Sequence, residues 1–194
     1  GTRAVAQAAG AAIVAAGKGR GVQLRAGAAL ATGDILLFLH ADSILKPDAG
    51  ERIVRSLERN PAAAGGCLGM RFEEGGWVRR GIAILNNLRV AVTGIGFGDQ
   101  AQFVRRDALE RIGGFPGLML MEDVELSLRL KRIGRPLYLP GGVVVSGRRW
   151  QARGSIRRLR LVLSLFGRFL LERRLFGIAD AGERYYRRYY GASG

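Results

Sequence analysis

The segment 34–40 constrains the fold of this chain more than any other part of the sequence. It reads Asp-Ile-Leu-Leu-Phe-Leu-His. A strand this uniformly apolar is typical of a parallel sheet that is covered on both faces. Apolar runs and helical stretches alternate along most of the chain, for example at 65–72 and 77–92. This alternation predicts an α/β fold with a mixed, mostly parallel sheet.

The bulk composition fits one globular core. The chain has 194 residues, of which 48% are hydrophobic and 24% are charged, and this is enough to bury a core. Its single cysteine, Cys67, excludes an intramolecular disulfide framework and a cysteine-based zinc site. The chain opens at Gly1 in a helix-like segment. We therefore expect an N-terminally truncated domain whose first strands are missing.

The positive charge is large and unevenly distributed. The formal net charge is +15, and residues 148–194 contain 12 arginines but only three acids. Arginine suits bidentate contacts to phosphate, so nucleic acid, an anionic membrane surface and a diphosphate substrate are all candidate partners. An arginine-rich genome would explain part of the excess. The change in composition predicts two regions, a core at 1–150 and a basic, aromatic-rich helical segment at 151–194.

Carboxylates occur where predicted strands and helices meet. Asp42 follows the apolar strand, and Glu122 and Asp123 open a predicted helix. Such positions converge on one edge of an α/β sheet, where ligands bind. Asp42 could hold a divalent cation or cap a turn, and Asp123 could accept a proton from a hydroxyl or favour the helix dipole. The only histidine, His40, is either a neighbour of the metal or a packing residue.

Three further segments have the composition of substrate-binding loops. A glycine-rich basic loop at 17–21 could cradle phosphate or lie on the surface. A second glycine-rich loop at 94–100 could hydrogen-bond a sugar or an acceptor, or simply form a turn. An Arg-Trp pair could bind a diphosphate and stack a ring, or begin a solvated tail. The residues concerned are Arg20 and Gln23, then Asp99 and Gln100, then Arg149 and Trp150.

Taken in order, these motifs resemble the inverting family 2 glycosyltransferases with the GT-A fold. Gly33–Asp42 resembles the family's Gly-Asp-strand-Asp-x-Asp segment. Gly113–Phe115 followed by Glu122–Leu126 resembles its glycine-glycine-phenylalanine and Glu-Asp signature, and Ser146–Trp150 resembles its Gln-x-x-Arg-Trp motif. The sequence is most similar to a bacterial subfamily, the radical-SAM/selenodomain-associated transferase 2 type.

The resemblance implies a Rossmann-like domain that moves a sugar from a nucleotide-diphosphate donor to an acceptor hydroxyl. Asp42 would bind Mn²⁺ or Mg²⁺, with His40 standing where the family has a first Asp. Asp123 would be the catalytic base, with Glu122 beside it. The substrate-binding positions would be Arg20, Gln23, Asp99, Gln100, Arg149 and Trp150. The family's first strand and its nucleotide-binding Asp would precede Gly1.

The basic tail leaves several interpretations open. Residues 159–171 are apolar, but they are too short, and too often interrupted by arginine, to span a bilayer. They could lie on the anionic inner face of the membrane, which would suit a cytoplasmic, peripheral enzyme with a lipid-linked acceptor. They could equally pack on the core or on a second subunit.

Two other functions compete with glycosyl transfer. Arginines and tyrosines interleave at 184–190, as they do in proteins that bind single-stranded nucleic acid. No helix-turn-helix, RNA-recognition or zinc pattern accompanies them, so we do not expect nucleic acid as the partner. The other alternative is a folded but inactive glycosyltransferase-like fragment.

Overall fold

The computed structural model of the protein describes residues 2–74, 76–148, 154–177 and 181–191. The strands are β1 Ile35–Phe38, β2 Ser43–Leu45, β3 Gly65–Phe72, β4 Gln102–Arg105 and β5 Leu137–Val145. The helices are α1 Thr2–Ala8, α2 Arg20–Leu30, α3 Ala49–Arg59, α4 Trp77–Thr93, α5 Arg106–Arg111, α6 Glu122–Leu130, α7 Ser155–Phe176 and α8 Ala181–Tyr190, and a 3₁₀ turn spans Gly98–Gln100.

The described strands form one mixed sheet in the order β1-β4-β3-β5-β2. The α/β class is confirmed, but the pairing is more antiparallel than predicted. Within this sheet only β3 and β5 pair in parallel, while β4 runs antiparallel to both β1 and β3, and β2 runs antiparallel to β5. Hydrophobicity alone does not encode strand direction, because short apolar strands pack equally well either way.

Strand β1 differs in its position from the sequence prediction. It forms an edge of the described sheet and pairs with β4 through Ile35–Phe38. Its burial alternates, with Leu36 and Phe38 buried and their neighbours only partly so. The short apolar segment 12–15, whose composition also favours a strand, is irregular in the structure, and Ile13 is 39% exposed. The apolar composition therefore predicted a strand at β1 correctly. It also predicted a strand buried on both faces, whereas β1 is a partly buried edge strand that pairs with β4 within the described sheet.

The core has three parts, and the third is built by the C-terminal helices. Helices pack on both sides of the sheet, with Leu68 and Phe103 in one apolar cluster and Leu126 in another. In the third cluster Leu165 and Phe169 of α7 are buried against Val124 of α6. Helix α7 therefore packs on the core, as one of the two interpretations of the tail requires. The boundary predicted near residue 150 falls outside the described residues.

The tyrosines of α8 also face the protein. Tyr185 is 3% exposed, and its hydroxyl donates a hydrogen bond of 2.8 Å to Glu172. Tyr186, Tyr189 and Tyr190 pack against the same cluster. Rings held in this way do not form the open stacking platform that a single-strand binder uses. Among the described helices, none combines the length and hydropathy that crossing a bilayer requires.

Candidate active site

The site is built around the first turn of α6. Met121, just before the helix, adopts a left-handed conformation with φ 65°, which is uncommon for a residue with a side chain and typical of strained functional positions. The turn brings the chain into α6 with residues 122–127 all buried. Two neighbouring acids, Glu122 and Asp123, thereby enter the protein interior at a helix N-terminus, where the dipole favours negative charge.

Asp123 has a fixed carboxylate that borders a cavity. Its Oδ2 accepts a hydrogen bond of 2.6 Å from the backbone N–H of Gly98, and its Oδ1 accepts one of 2.7 Å from the N–H of Val124. The side chain is 11% exposed and lines the cavity. Two backbone donors hold the group while leaving it within reach of a ligand, which is what a general base requires.

Arg20 stands beside both acids. Its Nε lies 3.0 Å from Glu122 Oε1, and its Nη2 lies 3.8 Å from Asp123 Oδ2. Helix α2 is held in place because the N–H of Gly21 donates to Leu118 O at 3.0 Å. A Cβ on Gly21 would overlap the carbonyl oxygens of the same loop. The basic loop therefore delivers Arg20 to the acids.

Glu122 lies behind this surface. Glu122 is fully buried, and neither of its carboxylate oxygens has a hydrogen-bond partner of good geometry among the described residues. Its negative charge is therefore balanced by the ion pair with Arg20. Burial, reinforced by the charge of Asp123 and opposed by Arg20, raises the pKa of Glu122. The predicted catalytic partnership of the two acids is thus unequal: Asp123 lines the cavity, whereas Glu122 does not.

The strand-end residues His40 and Asp42 lie in the wall of the same cavity. The His40 ring nitrogens lie 3.0 and 3.1 Å from Arg20 Nη2. A cation against the ring is a poor environment for a metal ligand, so the structure disfavours the predicted metal role of His40. The Ser146 N–H donates to the backbone oxygen of Asp42 at 2.9 Å, which joins the end of β5 to this turn.

The donor set for a metal is small. Among the described residues, no group of three or more His, Cys, Asp or Glu side chains could hold a metal ion. Asp42 offers one carboxylate at the cavity wall. A single carboxylate fits Mg²⁺ or Mn²⁺ when substrate phosphates and water provide the other ligands.

Arg89 of α4 holds the loop that follows this helix in place. The Arg89 guanidinium donates to Asn86 Oδ1 at 2.6 Å and to Gln100 Oε1 at 3.1 Å, and it stacks on Phe97 at 3.6 Å from the ring centre. Gln100 is fully buried and also accepts from the N–H of Phe97. Gln100 therefore braces the loop and does not reach the cavity as predicted.

Asp99, next to Gln100, does line the cavity. The side-chain amide of Asn86 lies 3.4 and 3.5 Å from its two oxygens. Burial raises the pKa of Asp99 to about 6, with Arg89 opposing the shift and Asp123 adding to it. Asp99 is therefore a second cavity acid, and its charge changes in mildly acidic solution.

The cavity has a volume of about 410 Å³, within the usual range for a small-molecule site. Its polar lining includes Arg20, His40, Asp42, Asn86, Arg89, Asp99, Asp123 and Arg158. Its apolar lining comes largely from α4 and α7 and includes Ile82, Leu85, Leu159, Val162, Leu163 and Leu165. The structure thus brings together five of the ten predicted site residues: Arg20, His40, Asp42, Asp99 and Asp123.

Three predicted residues are either outside the cavity or outside the described residues. Gln23 is exposed on α2 and does not line the cavity. Arg149 and Trp150 fall outside the described residues, so their predicted roles stay predictions.

Several cavity residues were missed by the sequence analysis. Asn86, Asn87 and Arg89 interrupt the otherwise apolar residues 81–92 of α4, and that break in the pattern was a usable signal. Arg158 and Tyr189 come from α7 and α8 and also line the cavity. Arg158 donates to the Tyr189 hydroxyl. No local pattern in the tail indicates that it would reach the site.

Comparison with known proteins decides the family. The profile described as "Glycosyl transferase family 2" matches residues 1–117, more than half of the chain. The chain belongs to glycosyl transferase family 2. A comparison with curated proteins finds no match.

Solved structures support the family's fold. Mannosyl-3-phosphoglycerate synthase from Rubrobacter xylanophilus is 19% identical, with a TM-score of 0.52, and the match covers 94% of this chain and 64% of that one. Glucosyl-3-phosphoglycerate synthase from Mycobacterium tuberculosis, in complex with Mn²⁺, uridine-diphosphate-glucose and phosphoglyceric acid, is 21% identical with a TM-score of 0.48, over 75% of this chain and 54% of that one. The first match supports the predicted GT-A type of fold. The chain spans between about half and two thirds of these proteins.

Proposed function

We propose that this protein transfers a hexosyl group from a nucleotide-diphosphate sugar to an acceptor hydroxyl with inversion of configuration. The observation that carries the proposal is the Asp123 carboxylate, fixed at 2.6 Å by the Gly98 N–H and lining the same cavity as Asp42. Family membership gives the reaction class. The motif order favours the radical-SAM/selenodomain-associated type within the family.

Asp123 acts as the general base. Its carboxylate takes the proton of the acceptor hydroxyl while the hydroxyl oxygen attacks the anomeric carbon. The bond from that carbon to the donor phosphate breaks on the opposite face, and the nucleoside diphosphate leaves with the bonding electrons. The backbone donors on Asp123 keep its oxygens aimed, which is the positioning that proton transfer needs.

Asp42 would hold a divalent cation, Mn²⁺ or Mg²⁺, together with the diphosphate of the donor. When bound, it would offset the negative charge that develops on the leaving diphosphate. Membership of glycosyl transferase family 2 supports a nucleotide-sugar donor here. His40, already against Arg20, orients the arginine.

The test is sugar transfer by matched acid variants. Asp123→Asn keeps the shape of the side chain but removes the base, and turnover of UDP- and GDP-sugars should fall by roughly 10²–10⁴-fold. Asp107→Asn changes an exposed acid outside the cavity and should leave turnover unchanged. Near-normal turnover in Asp123→Asn would remove the base assignment. An NMR spectrum of the product's anomeric proton reports inversion directly.

We also infer a peripheral location at the inner face of the membrane, with residues 1–150 as the transferase core and the exposed face of α7, within the basic segment 151–194, toward the lipid. Exposed leucines and arginines on α7 support this location. Flotation of the protein with vesicles of phosphatidylcholine, with and without phosphatidylglycerol, tests it. Binding only to the anionic vesicles is expected, and no binding to either would contradict it.

A further inference from the structure

Helices α4 and α7 form the apolar wall of the cavity, and they also border its opening at the protein surface. Leu85 of α4 and Leu163 of α7 both line the cavity. Leu85 is nonetheless 59% exposed and Leu163 is 50% exposed. A side chain that borders a cavity and is half exposed to solvent lies at its opening. The opening between α4 and α7 is therefore flanked by leucines.

The surface of both helices continues this apolar character. On α4, Leu88 is 57% exposed and Val92 is 75% exposed, and on α7 Leu171 is 59% exposed. Clusters of large exposed apolar side chains mark interaction sites. Because the cavity opens between the same two helices, the apolar surface and the apolar wall belong to one feature.

The charge on α7 indicates which kind of partner this apolar surface binds. Its exposed face interleaves the leucines with arginines at 157, 160, 168 and 174. A helix that presents leucine and arginine together suits the boundary between anionic lipid headgroups and hydrocarbon. The net charge of +15 acts in the same direction, since it draws the whole protein toward an anionic surface.

We propose that the part of the cavity between α4 and α7, which we call the chain-binding arm, binds the hydrocarbon chain of an anionic amphiphile from a bilayer. This amphiphile is the sugar acceptor. Its chain lies against Leu85, Val162 and Leu163, and its head group extends toward Asp123. This inference rests on the proposed glycosyl transfer and adds the class of the acceptor.

Binding of dodecyl phosphate, measured by calorimetry as a monomer in solution, tests the chain-binding arm. The double variant Leu85→Gln/Leu163→Gln removes the two leucines at the opening. The matched control Leu88→Gln/Leu171→Gln removes two leucines of similar exposure from the same helices that do not line the cavity. We expect the first pair to weaken binding on the order of tenfold or more and the control pair to leave it within about twofold of the wild type.

Vesicles containing phosphatidylglycerol separate the cavity from the surface around it. Adsorption to the outer surface should weaken in both double variants, because both lose exposed leucines. Equal weakening of dodecyl phosphate binding in the two variants would mean surface adsorption and would overturn the proposal, as would no binding by the wild type.

The failure of this inference is distinguishable from failure of the proposed function. Asp123→Asn should lower sugar transfer by roughly 10²–10⁴-fold while dodecyl phosphate binding keeps its dependence on Leu85 and Leu163. If the wild-type protein turns over nucleotide-sugars but does not bind dodecyl phosphate, the proposed transferase activity stands and the proposed class of acceptor is wrong. A protein that binds dodecyl phosphate through Leu85 and Leu163 but turns over no donor would lose the transferase.

Discussion

Helices α6 and α7 lie side by side and both border the cavity, but they are built in opposite ways. Seven of the nine residues of α6 are buried, three of them acids, whereas only three of the 22 residues of α7 are buried. Helix α6 fixes charged groups deep in the protein at high desolvation cost, and α7 covers them with a largely exposed, apolar and basic surface. In the proposed function, α6 would position the catalytic acid and α7 would contribute to the choice of acceptor.

The loop against α6 gives the largest expected effect. A Cβ on Gly98 would overlap the His40 imidazole and the Arg20 guanidinium, and the Gly98 N–H holds Asp123. Gly98→Ala should therefore displace the base and lower sugar transfer on the order of 100-fold. Gly81→Ala, on α4 with open space around it, is the control, and equal activities in the two variants would show that the loop tolerates displacement.

The junction of the two helices comes next. Glu125 of α6 is 1% exposed and accepts hydrogen bonds from Arg129 at 2.7 Å and from Arg173 of α7 at 2.6 Å. Arg173→Met keeps the apolar stem but leaves the buried acid with one partner. We expect the free energy of unfolding to fall by about 2 kcal/mol.

The surface pair of α7 is the control for that experiment. Arg168 bonds Glu172 at 2.6 Å, but its side chain is 51% exposed, so Arg168→Met should cause no measurable loss. Denaturant unfolding measures both variants. Similar losses would mean that α7 is stabilised by its surface pairs and not by docking on α6.

The pH dependence of stability is expected to respond to Asp99. Its folded pKa of about 6 lies above its ordinary 3.8, so the unfolded chain releases this proton first as the pH rises. The contribution of Asp99 to the free energy of unfolding is fully present below about pH 4, and it is lost as the pH rises to about 6. Glu122, whose pKa is also raised, acts in the same direction from about pH 4.5 upward.

Urea unfolding across this range, with Asp99→Asn beside the wild type, isolates the Asp99 contribution. The variant should lose less stability than the wild type between about pH 4 and pH 6. Parallel curves for the two proteins would contradict the raised pKa of Asp99. Asp107→Asn, at an exposed position, controls for the loss of one charge.

The smallest effect concerns the open face of α7. A Cβ added to Gly167, within α7, would have no contact closer than 4 Å outside the helix backbone, so Gly167→Ala should stabilise the protein by about 0.5–1 kcal/mol through helix propensity. The same change at Gly21, in α2, should destabilise it, because its Cβ would meet carbonyl oxygens. Thermal unfolding compares them, and a loss of stability at Gly167 would mean that this face is covered.

The polar part of the site was predictable where it follows from chain topology. Asp42 follows strand β1 and Asp123 lies in the first turn of α6, and such positions meet at one sheet edge in parallel α/β sheets. The different positions of Glu122 and Asp123 could not be predicted, because the buried Glu122 pairs with Arg20, which lies about a hundred residues earlier in the sequence. Spacing in the sequence does not report which of two neighbouring acids faces a cavity.

The apolar part of the site was not predictable. The tail reads equally well as a membrane-surface helix and as a packed one, because leucine suits both environments. The structure uses both properties at once: Leu165 and Phe169 are buried on α6, while Leu163 and Leu171 face outward. Strand direction was missed for a related reason, since β4 has only four residues and its antiparallel pairing leaves no mark on its composition.

The pairing of Glu125 with Arg173 has a consequence for biosynthesis. The arginine follows the acid by 48 residues, which a ribosome adding about 5–20 residues per second takes roughly 2–10 s to make. During that interval α6 would have to bury an acid with only Arg129 to neutralise it. Nascent chains arrested before Arg173 should therefore be cleaved by protease near α6, and chains arrested well beyond it should be protected. The region around α6 would therefore fold only after Arg173 has been made, and the acids in the first turn of α6 would stay exposed until then.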